Sequence, residues 1–151
     1  MKTFEQVVNI FENACNAHLA INTFQFGTLD KLDSSTQNVR YPYIFLRPIT
    51  SQGMIIDPNG RSGSRGLTFE LYSLDIPQQT DSDYLSVMSD TEQYIYDIIS
   101  WVNYGLLQQD AFITLNNIAP VNEAFMDRCY GFVATIDYTE QAILDFCNYP
   151  D

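Results

Sequence analysis

The chain has 151 residues, 46% of them hydrophobic, and a net charge of −12; that is apolar content enough for one domain whose core needs neither disulfides nor metal. No apolar run approaches the roughly 18 residues that would cross a bilayer. Cys15, Cys129 and Cys147 are odd in number without Cys-x-x-Cys spacing, and His18 is the single histidine, which argues against a disulfide framework and a structural zinc site.

Met1–Gln6 lacks the apolar stretch of a secretory signal. Thr3 followed by Gln6 fits a capping box, and Phe4, Val7, Val8, Phe11, Ala14 and Cys15 recur at helical spacing, predicting a helix over Phe4–His18. Residues 22–41 are polar and suit an extended loop with a short strand at Thr23–Phe26. Tyr43–Arg47 is aromatic and β-branched between Pro42 and Pro48, which predicts a strand ended by its prolines. Met54–Ile56 reads as a short strand, residues 57–66 as a flexible hairpin loop rich in glycine and serine, and Leu67–Leu74 as the strand that follows.

Beyond Pro77, Asp81 and Asp83 offer helix caps. Tyr84, Met88, Thr91, Ile95, Ile98 and Val102 follow three-four spacing, broadened by Val87, Tyr94, Ile99 and Trp101. A helix over Ser82–Asn103 with Gly105 as its stop is predicted. Phe112–Asn117 and Arg128–Tyr138 complete the strands, with Tyr130, Phe132, Ala134, Ile136 and Tyr138 on one core face. The tail from Ala142 to Pro150 is apolar for a terminus and is expected to dock on something. The order α-β-β-α-β-β predicts a single α+β domain over residues 1–151. Its expected form is two layers, a mainly antiparallel sheet of about four strands with two helices on one face.

The charge is divided unevenly. Residues 1–33 carry a net −2, residues 34–65 a net +3 from four arginines against Asp57, and residues 66–151 a net −13. The acidic half would repel nucleic acid, because holding a phosphate backbone needs lysine and arginine. A positive segment meeting another copy's negative segment is what head-to-tail association needs.

Catalytic patterns fail in turn. A serine or cysteine hydrolase needs a base beside its nucleophile, and His18 stands alone on the first helix. Gly60, Gly63 and Gly66 lead into a strand without a Gly-Lys-Ser/Thr sequence, so no helix start is available for phosphate. Asp57-Pro58-Asn59-Gly60 has its glycine too early for a calcium loop. Asp81 and Asp83, which could pair for acid–base work, sit where helix caps belong. The expectation is no enzyme, no cofactor and no metal, and a protein that works by binding proteins.

The segment FGTLDKLDSSTQNVRYPYIFLRP, the loop closing in GLTFELYSLD, the aspartate-led helix and the final ITLNNIAPVNEAFMDRCYGFVATIDY pair are similar to tail-terminator-like proteins of tailed bacteriophages. These are neck and tail ring proteins, including those of crAss-like phages. The resemblance implies a structural virion protein, assembled in the host cytoplasm. It would form a homo-oligomeric ring around the DNA channel between the portal or adaptor side and the tail. Its partners would be itself, adjacent portal, adaptor and tail proteins, and DNA only as passing cargo, with no membrane. On this reading Arg40, Arg47, Arg61, Arg65, Asp75, Asp81 and Asp83 are the expected inter-subunit docking residues, with Arg61 and Arg65 on a reaching arm. Phe146 and Tyr149 are the expected contacts to the next ring. The alternative is an acidic protein-binding inhibitor, such as a DNA mimic whose carboxylates imitate phosphates.

Overall fold

A computed structural model describes residues 2–35, 39–77, 81–124 and 128–143. The element order is α1 (Phe4–Ala17), β1 (Thr23–Phe26), α2 (Leu29–Ser35), β2 (Tyr43–Ile56), β3 (Ser62–Asp75), α3 (Asp81–Leu106), β4 (Ala111–Ala124) and β5 (Cys129–Ile143). The strands form one five-stranded mixed sheet in the order β1-β2-β3-β5-β4, with only β1 parallel to its neighbour. The α+β class is as expected, but the sheet has a fifth strand and the chain a third helix.

α1 begins on the capping box. The Thr3 hydroxyl accepts from the Gln6 N–H at 3.2 Å, and the Gln6 side chain accepts from the Thr3 N–H at 2.8 Å. Val7, Phe11, Ala14 and Cys15 then bury one stripe against the sheet. In α3 the buried line is Val87, Thr91, Ile95, Ile98, Val102 and Leu106. Thr91 is tolerated there because its hydroxyl donates to the Val87 carbonyl at 2.7 Å. Both helices cover the face carrying Ile44 and Leu46 of β2, Leu67, Phe69 and Leu71 of β3, and Ala134, Ile136 and Tyr138 of β5. Phe132 packs at the margin of this core.

Strand alternation sends Tyr43, Phe45, Tyr72 and Leu74 to the opposite face. There α2 inserts Leu32, fully buried, to build a second and smaller core. Both faces of the sheet's β1–β3 end are therefore covered. The remainder of the second face carries polar cross-strand pairs. Arg47 meets Glu70 at 3.0 Å, and Thr68 donates to Asp137 at 2.6 Å.

Several boundaries correct the sequence reading. Pro48 does not end β2, which runs on to Ile56 through bulges at Pro48/Thr50 and Ser51/Gly53. β1 pairs only with Tyr43–Leu46, so from Arg47 onward β2 is an edge, where proline is tolerated. Gly53 adopts φ 71°, the left-handed backbone that lets the second bulge form. The loop expected over residues 57–66 is a tight turn instead, closed by Asp57 N–H donating to the Ser62 carbonyl at 2.9 Å. Residues 62–66 belong to β3 and pair on both sides, with β2 and β5, so Arg65 is not on a reaching arm. Gly105 lies inside α3, because Leu106 is still buried in the core; the exit comes later, at Asp110 with φ 53°. β4 is the other sheet edge, which accommodates Pro120. The Asn103 side chain covers part of that edge, donating to the Ile113 carbonyl at 3.0 Å and accepting from its N–H at 2.7 Å.

Candidate interaction surfaces

The expected docking residues are scattered, and two of them are engaged inside the chain. Arg47 is paired across the strands with Glu70, whose other oxygen accepts from the Tyr72 hydroxyl at 2.8 Å. Burial, then the hydrogen bond to Glu70 and that carboxylate's charge, pushes that hydroxyl up to about 12. Arg65, largely covered, bridges to buried Glu140 at 3.1 Å while also donating to the Lys2 carbonyl at 2.7 Å. Glu140 takes the Lys2 N–H at 3.0 Å, so this buried pair clamps the start of α1 to β3 and β5. The Arg65 guanidinium is thus engaged within the chain, by Glu140 and the Lys2 carbonyl, as an internal lock.

Arg40 and Arg61 are exposed, Arg40 just before β2 and Arg61 at the tip of the β2–β3 hairpin. Asp75 ends β3 half-buried; burial first, and then the charge of Asp90, raises its carboxyl above the usual range. Asp83 lies half-buried in the first turn of α3. The side chain of Asp81, and all of Phe146 and Tyr149, lie outside the described residues.

What the sequence reading missed is apolar and exposed. Ile55 (78% exposed) and Ile56 (54%) stand beside the hairpin turn, and Trp101 (58%), Tyr104 (76%) and Leu107 (75%) stand toward the end of α3. Trp101 was counted with the buried stripe, yet it falls beside the line through Ile98 and Val102 and points outward. Trp101 and Val102 lie three and four residues on from Ile98, so spacing alone does not separate the exposed side chain from the buried one. Around the C-terminal end of α3, Leu106, Leu107, Ala111 and Phe112 wall a groove of about 470 Å³ beside Asp110 and Gln141. A second cavity of about 290 Å³ opens between the end of α1 and α3, bordered by Ala17, His18, Leu19, Asp97 and Trp101.

His18 in that cavity has the outline of a catalytic dyad, its Nε2 lying 3.0 Å from Asp97 Oδ2. Its Nδ1, however, accepts from the Ala20 N–H at 3.1 Å. The proton therefore sits on Nε2, the basic nitrogen is already occupied, and the imidazole ties the α1 exit to α3 instead of activating a nucleophile. Burial would raise the Asp97 carboxyl, but hydrogen bonds from His18 and Gln93 prevail and hold it below the usual range. Among the described residues, no group of three or more His, Cys, Asp or Glu is placed to hold a metal ion. Nor is any helix among them long and apolar enough to cross a membrane. No protein-family model matches the sequence, and no curated protein matches it.

Proposed function

We propose that this chain is a structural subunit of a virion that associates with copies of itself into a ring in the neck or tail of a tailed phage, between the portal or adaptor side and the tail. The observation that carries the self-association is the pair of unlike exposed surfaces. A hairpin tip bears Ile55, Ile56 and Arg61, and a separate helix face bears Trp101 and Tyr104, with Asp97 one turn before Trp101. Two different patches on one chain favour a head-to-tail contact, which closes into a ring when its rotation allows. Large exposed aromatics are the side chains that interfaces favour. Placement in the neck or tail rests on the sequence resemblance, and an acidic lumen would let DNA pass without sticking.

A second reading is favoured by one specific feature. Asp83, Asp90 and Asp97 recur every seven residues along α3, which has no lysine or arginine. Such a carboxylate row suits an acidic inhibitor that imitates a phosphate backbone. Light scattering on the purified chain separates the two. A ring subunit gives a discrete species of about six or more copies that dissociates as salt rises. A mimic remains a monomer or dimer at all salts and competes with DNA for its target.

A further inference from the structure

We propose that the tip of the β2–β3 hairpin of one copy docks into the α1–α3 cavity of the next, with Arg61 against the Trp101 indole and the Asp97 carboxylate. This rests on the ring reading and names the contact that would build it.

The acceptor has three matching parts. The cavity of about 290 Å³ is walled by small side chains, Ala14 and Ala17, which leave room for an incoming chain. Trp101 forms its outer lip with its indole more than half exposed, and indole faces are the best aromatic partners for a guanidinium. Asp97 sits on the rim; each of its oxygens has one described donor, His18 on one and Gln93 on the other. Each oxygen keeps a lone pair for a further charge-assisted bond.

The donor matches it. The turn displays Arg61 as an exposed cation, while the Asp57 carboxylate beside it is taken up by the Ser62 hydroxyl. Ile55 and Ile56 supply apolar contact on either side of that charge, and Leu19 at the acceptor is fully exposed. The ladder behind the turn is paired through to Ile56 and Gly63, and Ser62 and Gly63 also pair with β5, so the tip is presented in a set direction and little order has to be gained on docking. Charge complementarity selects the occupant. The acceptor helix carries acids at Asp81, Asp83, Asp90, Glu92 and Asp97 and no lysine or arginine, and after the internal pairing of Arg47 and Arg65 the hairpin tip carries an exposed arginine that this chain itself can deliver.

Trp101 is the only tryptophan, so its emission reports on this cavity alone. The test uses two full-length variants, Arg61→Glu, which disables the donor, and Trp101→Ala, which disables the acceptor. Both positions are exposed, and matching circular dichroism with wild type establishes that both variants fold. Each variant alone is expected to associate at least about tenfold more weakly than wild type. Mixed, they should form a species of twice the 17.3 kDa chain mass and no larger, because one intact donor meets one intact acceptor. The indole emission of the Arg61→Glu chain should shift to the blue in that mixture. Wild-type assembly with unchanged emission, or either variant assembling alone like wild type, overturns this contact and leaves the ring reading standing. A wild-type chain that remains at 17.3 kDa at every concentration and salt overturns both.

Discussion

Replacing Arg65 with methionine is expected to destabilise the fold by about 3–5 kcal/mol, the usual consequence of stranding one partner of a buried ion pair. The Arg65 and Glu140 side chains are only 14% and 4% exposed, so water cannot solvate the carboxylate left behind. Glu140 would keep a single described donor, the Lys2 N–H. Burial first and the Glu140 charge second also hold the neighbouring Tyr138 hydroxyl well above its ordinary range, so it stays neutral beside that carboxylate. For a chain of this length the loss corresponds to a Tm lower by roughly 6–20 °C. The double variant Arg65→Met/Glu140→Leu removes both charges and should recover to within about 1–2 kcal/mol of wild type, the remainder being the unpartnered Lys2 N–H. Urea unfolding followed by far-ultraviolet circular dichroism measures all three proteins, at concentrations low enough that association adds nothing. A loss below about 1 kcal/mol in the single variant would refute the internal lock and return Arg65 to the list of residues free to contact a neighbour.

Gly131→Ala should destabilise by about 3 kcal/mol or more, because the added Cβ would lie 1.8 Å from the Ser73 carbonyl oxygen on the adjacent strand; a melting curve that matches wild type would contradict it. Asp75→Asn should stabilise the protein near neutral pH. The carboxyl is raised in the folded state by burial and Asp90, so the wild-type carboxylate disfavours folding once pH exceeds its folded pKa, and the gain should vanish as pH falls below the unfolded value of about 3.9. Melting midpoints across pH check this, and a gain that grows toward acid would contradict it. The Cys15 thiol, pushed up to about 12 by burial and then by Glu12, should resist alkylation in the native state and react only on unfolding. Peptide mass mapping of briefly alkylated protein decides this, and rapid native modification of Cys15 would contradict it.

Most of the core was legible in the sequence because its periodicity is plain. The α1 stripe, the capping box at Thr3 and the alternation of Ala134, Ile136 and Tyr138 all follow from spacing alone. α2 was not legible, since it has seven residues and anchors itself through buried Leu32 in a largely polar segment. The extent of β2 and β3 was hidden by glycines and Pro48, which read as loop. What keeps those residues in strands is an edge position for the proline, a bulge at Gly53 and pairing with β5. The arginines looked equivalent in sequence, and only the register, which sets Arg65 opposite Glu140 and Arg47 opposite Glu70, divides the paired ones from exposed Arg61. For the same reason the exposed aromatics of α3 were hidden, because their direction depends on where the core line runs.

The central claim, a ring built from copies of this chain, is tested most directly by negative-stain electron microscopy of the purified protein at low salt. Closed rings of uniform diameter around an open channel, dispersing when salt is raised, are expected. A field of single small particles at every concentration, or filaments of unrelated geometry that persist in high salt, would contradict it.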